Sequence, residues 1–143
     1  MRRTIIIAIL AIFCFAGISA AQNKRVQKRL SSPTRVEVMY FHGKQRCPTC
    51  IAIGKYSQEV LNSFFAAQVK KGQVKFREID ISTPEGEKIA DSYHVTWSSL
   101  YVTQLKNGKE IHNDMTSFGF QYARSNTQAF KNGLRNKITQ LLK

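Results

Sequence analysis

The chain has 143 residues, of which 43% are hydrophobic and 22% are charged, and it carries 22 Lys and Arg against 9 Asp and Glu. These values fit one globular domain of ordinary size, and they exclude wholesale disorder, collagen-like repetition and a disulfide-dense miniprotein. A domain of this size also has little room for a dinucleotide-binding fold together with a substrate domain. We therefore expect a functional site formed by a few side chains, without a large cofactor.

The first 21 residues have the pattern of a secretory signal peptide. Arg2 and Arg3 precede an apolar run over residues 5–16, and the small residues 19–21 follow it. This order of basic, apolar and small segments predicts cleavage after Ala21, and hence a periplasmic or secreted protein.

Two other interpretations of this segment are less favoured. A membrane anchor requires roughly 20 apolar residues to cross a bilayer, and the run is shorter than that. A lipid anchor on Cys14 is disfavoured because bulky Phe13 precedes the cysteine. Cleavage would leave two cysteines, Cys47 and Cys50, and would lower the formal net charge from +13 to +11.

Residues 22–34 are polar and basic and show no helical or strand periodicity, so they predict a linker before a domain over residues 35–143. The dispersed positive charge predicts weak association with anions or with a membrane surface. We expect no nucleic-acid partner, because no recognition motif accompanies the charge and export argues against one.

The domain is predicted to begin with a buried strand over residues 36–41. A long amphipathic helix is predicted next. Pro48 is favoured in its first turn, and Gly72 is expected to end it. The apolar positions that define this helix are Ile53, Tyr56, Val60 and Phe64.

A second strand is predicted over residues 74–81, followed by a helix that begins at residues 82–85 and ends near Tyr93. Asn107-Gly108 predicts a tight hairpin between strands 100–105 and 110–115. A stripe of apolar residues after a cap at Ser125 or Asn126 predicts a closing helix. The stripe consists of Phe130, Leu134, Ile138 and Leu141.

This β-α-β-α-β-β-α order, with a Cys-x-x-Cys motif between the first strand and the first helix, resembles the thioredoxin superfamily from residue 36 to the end. The resemblance rests on Tyr40-Phe41-His42, Cys47-Pro48-Thr49-Cys50, and residues 76–81, 93–99 and 106–109. It implies an α/β, thioredoxin-like fold in which helices flank a central mixed sheet.

Within the superfamily, the chain is similar to exported bacterial proteins described as nitrophenyl compound nitroreductase subunit ArsF. Nitro-group reduction normally needs a flavin, and the sequence contains no Gly-x-Gly-x-x-Gly fingerprint. We therefore expect no cofactor and take the dithiol as the redox centre.

The spacing of the two cysteines suits thiol–disulfide chemistry. Cys47 would stand at the helix mouth and Cys50 one turn inside, close enough to form a disulfide. The helix dipole, Arg46 and Lys44 would stabilise a Cys47 thiolate, so Cys47 is predicted to attack and Cys50 to resolve the mixed disulfide.

Other candidate site residues lie in nearby segments. His42 is a candidate proton-transfer group, and Trp97, Ser98 and Ser99 are predicted to bind substrate. Ser99 aligns with the position where thioredoxins carry a cis-proline, and we expect the Ser98–Ser99 peptide to be trans because a cis bond there is costly.

The resemblance also fails at one position that matters for proton transfer. Met39, Tyr40 and Phe41 fill the stretch where thioredoxins keep a buried Asp to assist the resolving cysteine. Water, His42 and Glu37 remain candidates for that role. Asp80 is predicted to be a capping or loop acid.

The leading hypothesis is an exported thiol–disulfide oxidoreductase or electron-transfer protein whose partners are protein thiols and disulfides or a membrane redox protein. One alternative is a metal-binding or delivery module that uses Cys47, Cys50 and His42. The other is a non-catalytic cationic interaction domain with a structural disulfide. The alternating aromatic residues Phe118, Phe120 and Tyr122 are predicted to pack beneath the last helix, and an aromatic binding platform is the less favoured alternative.

Overall fold

The computed structural model describes residues 33–143. The predicted signal peptide, Cys14 and all but the last two residues of the predicted linker lie outside this range. No helix within residues 33–143 is long and apolar enough to span a membrane.

Four strands form one mixed sheet. They are β1 (Arg35–His42), β2 (Val74–Asp80), β3 (Ser99–Lys106) and β4 (Lys109–Asp114), in the spatial order β2-β1-β3-β4. β1 pairs parallel with β2 and antiparallel with β3, and β3 pairs antiparallel with β4. The parallel pair requires a crossover connection, which the first long helix supplies.

Five helices accompany the sheet in the described part of the chain. They are α1 (Pro48–Phe64), α2 (Ala66–Lys70), α3 (Pro84–Ser92), α4 (Thr116–Tyr122) and α5 (Thr127–Leu141). The predicted caps are present, because the Thr83 hydroxyl accepts from the Gly86 amide and the Asn126 side chain accepts from the Ala129 amide. Each cap satisfies an amide that the helix itself leaves unpaired.

The alternation of side chains along β1 divides the core into two layers. Val36, Val38 and Tyr40 belong to the larger cluster, to which α1 and α5 contribute. Met39 and Phe41 belong to a second cluster on the opposite face, beneath α3. Every one of these five side chains is almost fully buried, which explains why β1 is nearly continuous in apolar residues.

The predicted hairpin is confirmed. Asn107 and Gly108 both have positive φ angles, 54° and 73°, at the centre of the two-residue connection between β3 and β4. This is the backbone geometry that an Asn-Gly pair adopts most readily in a tight hairpin.

Two helical segments differ from the prediction. The predicted first helix is interrupted at Phe65, where φ is −128°, so that α2 is a separate short helix. Phe65 is buried, and its apolar side chain continues the hydrophobic pattern across the break. The aromatic segment 118–122 lies within a helix, α4, which the prediction lacked. Phe118 nevertheless packs on Phe130 of α5, as expected.

Candidate active site

A disulfide joins Cys47 and Cys50 where β1 leads into α1, and their Cα atoms are 5.0 Å apart. Cys47 is the N-cap of α1 and has an extended backbone, while Pro48 opens the first turn. The Cys50 amide donates a hydrogen bond of 3.0 Å to the Cys47 sulfur. After reduction, this amide and the positive end of the helix dipole would stabilise negative charge on Cys47.

The two sulfur-bearing residues differ in exposure. Cys47 is exposed, whereas Cys50 is 5% exposed and belongs to the larger core cluster. A partner protein can therefore approach Cys47 directly. The same partner cannot reach Cys50 without disturbing the core, and this asymmetry is what the predicted roles of the two residues require.

Arg46, directly before the dithiol, is held by an ion pair. Its Nη2 lies 2.6 Å from Glu78 Oε1, and its guanidinium lies over the Tyr40 ring at 5.3 Å from the ring centre. His42 Nε2 lies 3.8 Å from the same Glu78 oxygen. Glu78 thus offsets part of the positive charge that the sequence predicts beside Cys47.

Tyr40 places a buried phenol beside Arg46. Its hydroxyl has no hydrogen-bond partner of ordinary geometry, although the side chains of Arg46 and Ser98 lie nearby. Burial raises the pKa of the Tyr40 hydroxyl, and the nearby Arg46 guanidinium opposes only part of that rise. The phenol therefore stays protonated at neutral pH.

The structure confirms the predicted mixed sheet flanked by helices, with the Cys-x-x-Cys disulfide at the mouth of α1, and it adds the spatial strand order β2-β1-β3-β4. The fold is thioredoxin-like.

Comparisons with known proteins add two structural likenesses. A thioredoxin from Thermus thermophilus is 20% identical, with 74% of this chain and 75% of that chain covered and a TM-score of 0.38. A structure described as that of a malarial protein is 18% identical, with 57% and 82% covered and a TM-score of 0.41. The chain matches no protein-family model and no curated protein sequence.

The loop predicted to bind substrate lies at the same end of the thioredoxin-like sheet as the dithiol. Ser99 pairs with Phe41 near the end of β1, and its hydroxyl donates to the Trp97 carbonyl at 3.1 Å. Trp97 is 60% exposed and stacks on Phe120 of α4, with ring centres 5.5 Å apart. Residues 33–143 contain no cis peptide bond, so the Ser98–Ser99 peptide is trans, as expected.

Strand alternation removes one candidate for proton transfer. Glu37 lies on the face of β1 that carries Met39 and Phe41, opposite the layer that contains Cys50, and it pairs with Arg77 at 3.8 Å. It is therefore not placed to take a proton from Cys50.

His42 and Asp80 end neighbouring strands of the domain. His42 lies on the Cys50 side of β1, and its Nδ1 donates to the Gly43 carbonyl at 2.9 Å. It remains a candidate for proton transfer. Asp80 accepts hydrogen bonds from the backbone and hydroxyl of Ser82, which lower the pKa of its carboxyl, so it is the loop acid that was predicted.

The alternative metal site is not assembled. Within the part of the chain that the structure describes, no group of three His, Cys, Asp or Glu side chains is arranged to hold a metal ion. Cys47, Cys50 and His42 are therefore not brought together as a ligand set.

The sequence did not indicate the roles of three residues in this region. Glu78 pairs with Arg46, Tyr40 contributes a buried hydroxyl group, and Phe120 stacks on Trp97. Glu78 acts across the sheet, because it is the register partner of Tyr40 in the parallel pair. Only the strand register reveals that contact. The tyrosine in the apolar run Val38–Phe41 is the one local signal of this group of residues.

Replacing Glu78 with Gln should make the reduced protein more reactive towards alkylating agents at Cys47. Because the neutral amide no longer offsets the charge of Arg46, the thiolate fraction of Cys47 at neutral pH rises. We expect alkylation about two- to threefold faster, the modest effect typical of a partly exposed ion pair. Glu37→Gln makes the same charge change on the other face of the sheet and should leave the rate unchanged. An equal increase in both variants would contradict a local effect of Glu78.

Proposed function

We propose that this protein is an exported thiol–disulfide oxidoreductase, or the electron-transfer partner of one, with Cys47 as attacking sulfur and Cys50 as resolving sulfur. The observation that carries the proposal is the position of the disulfide in a thioredoxin-like fold: one sulfur is exposed at a helix N-terminus and the other is buried behind it. A helix N-terminus favours the thiolate that exchange requires.

In the reducing direction, the Cys47 thiolate attacks one sulfur of a substrate disulfide. The substrate S–S bond breaks, its other sulfur leaves as a thiolate that takes a proton, and a mixed disulfide remains on Cys47. Cys50 then loses its proton and attacks the Cys47 sulfur, which releases the second substrate thiol and closes the Cys47–Cys50 disulfide. Two electrons pass to the substrate, and the reverse sequence oxidises a dithiol partner.

The substrate surface that we propose is the loop from Trp97 to Ser99 together with the exposed first turn of α1. Trp97 is held by its stack on Phe120, and Ile51, which is 52% exposed, follows Cys50 directly. These apolar side chains suit an extended or unfolded protein segment better than a small polar thiol. Protein thiols and disulfides are therefore the proposed substrates.

From the similarity to ArsF-type proteins we take only that the protein is exported and acts in a redox process. We do not extend the proposal to nitro-group reduction, because the redox centre supported by the residues is the dithiol. A membrane redox protein is a proposed partner for regenerating it.

Turnover on a protein disulfide tests this function. The protein should catalyse the reduction of insulin by a small dithiol, and Cys47→Ser should abolish the catalysis. Catalysis by Cys47→Ser at the rate of the unaltered protein would refute the proposed mechanism. If neither protein catalyses the reaction, the protein is not a general disulfide reductase. A mixed disulfide with one defined partner would then identify it as a dedicated electron carrier.

Export makes a separate prediction about the mature chain. Intact mass of the protein recovered from a bacterial periplasm should correspond to a chain that begins at Gln22, because residues 1–21 have the pattern of a cleaved signal. A mature protein that retains Met1, or one that carries lipid on Cys14, would contradict a soluble exported form.

A further inference from the structure

The charges of the domain are unequally divided between the two faces of the sheet. The two segments that supply α1, α2, α4 and α5, residues 48–72 and 116–143, contain eight basic residues and one acidic residue, Glu59. On the other face, α3 carries three acidic residues and one lysine over residues 84–92. Within residues 33–143, the net positive charge is therefore concentrated on the layer of α1 and α5.

Within that layer, basic and aromatic side chains alternate along the contact between the two helices. Lys55 and Lys131 both lie against the Tyr56 ring, with nitrogen-to-centre distances of 5.4 and 4.9 Å. Arg135 lies over the Phe64 ring at 4.6 Å. We call these five residues, which lie along α1 and α5, the α1/α5 seam.

The only carboxylate of these segments does not cancel the charge of the seam. Glu59 forms an ion pair with Lys131 at 2.6 Å, and its single negative charge also attracts Lys55. Three basic side chains of the seam therefore share one acidic neighbour, and Arg135 has no ion pair within residues 33–143. Phe64 is 43% exposed although Arg135 covers it, and Val69 in α2 is 40% exposed. The seam therefore offers both positive charge and accessible apolar surface.

We propose that the α1/α5 seam binds the surface of an anionic lipid bilayer. Lysine and arginine beside exposed aromatic and aliphatic side chains are the combination that holds proteins at membrane interfaces, because the charges attract anionic headgroups while the apolar groups enter the interface. An acidic protein would be attracted by the charges alone, whereas the exposed Phe64 and Val69 also need an apolar environment.

The sequence that leads into the domain is also basic. Arg35 lines a surface groove together with Val69 and Leu61, near the end of α1 that carries Phe64, and Glu37 lines the same groove. The sequence immediately before it adds Lys24, Arg25, Lys28 and Arg29 without any acidic residue.

Binding through the seam leaves the dithiol accessible. α1 has 17 residues and is about 25 Å long, with Cys47 at its beginning and Phe64 at its end. A domain that lies with the seam on a bilayer keeps Cys47 at the margin of the contact. Exchange would then be favoured with partners located at the membrane.

The test is binding of the oxidised protein, with its natural N-terminus, to vesicles of phosphatidylcholine alone or mixed equally with phosphatidylglycerol. We expect binding only to the anionic vesicles, and the double variant Lys55→Gln/Arg135→Gln should weaken it about 25-fold. Added salt should weaken it as well. Lys88→Gln/Lys109→Gln is the matched control: it removes the same charge from α3 and the hairpin and should retain most of the affinity.

Three results would overturn the proposal. Equal loss of affinity in both double variants would show attraction by net charge rather than by the seam. Equal binding to both kinds of vesicle would show a contact independent of lipid charge. Seam-dependent binding to polyglutamate without binding to anionic vesicles would assign the surface to an acidic protein. Thermal unfolding of each variant verifies that the fold is retained, and the test does not depend on the redox activity of Cys47.

Discussion

Cys50→Ser should accumulate disulfide-linked complexes with partner proteins, on the order of tenfold more than Cys47→Ser. In the first variant the exposed Cys47 still attacks a partner disulfide, but no second thiol remains to release the partner. In the second, the remaining thiol on Cys50 is 5% exposed and is not at the helix N-cap. Non-reducing gels of cell extracts, followed by mass spectrometry of the linked peptides, measure the difference.

The double variant Cys47→Ser/Cys50→Ser is the control for complexes that form without either sulfur. Peptide mapping should place the link at Cys47 in every complex trapped by Cys50→Ser. Equal trapping by the two single variants, or more trapping by Cys47→Ser than by Cys50→Ser, would contradict the division of roles.

Gly86→Ala should destabilise the folded protein by about 3 kcal/mol, because overpacking against fixed backbone is costly. A Cβ atom at this position would lie 1.9 Å from the Asp80 carbonyl oxygen, and the backbone of both residues would have to move. The movement would also disturb the cap of α3, where the Thr83 hydroxyl donates to the Asp80 carbonyl and accepts from the Gly86 amide. Denaturant unfolding measures the loss.

Gly43→Ala is the matched control for this substitution. A Cβ atom at Gly43 meets nothing within 4 Å, and the residue does not have a positive φ. The change should leave stability within about 1 kcal/mol of the unaltered protein, with a small gain expected from the lower entropy of the unfolded chain. Similar losses at Gly43 and Gly86 would contradict the packing described around Asp80.

The sequence was sufficient to predict the four strands and the hairpin because their signals are local. The apolar run of β1, the Asn-Gly hairpin and the cap at Thr83 each depend on residues close together in the chain. The break at Phe65 and the helix α4 were missed. In both segments, the apolar and aromatic residues can be buried in more than one backbone conformation. Tertiary packing, and not the local sequence, therefore decides which conformation forms.

The site was predictable to a similar extent. The Cys-x-x-Cys motif specified where the dithiol would lie, because strand and helix signals flank it directly. The pair of Arg46 and Glu78 depends on the parallel register of β1 and β2, which brings together residues 32 positions apart. The stack of Trp97 on Phe120 likewise depends on α4. Contacts of this kind have no local sequence pattern.

Titration of the Cys47–Cys50 pair against reduced and oxidised glutathione tests the central claim most directly. If the disulfide is a redox-active centre, its midpoint potential should lie above about −250 mV, within the range of proteins that exchange disulfides. The fraction of reduced protein can be followed by alkylation and mass. A midpoint well below about −300 mV would identify a structural disulfide and would contradict the proposed function.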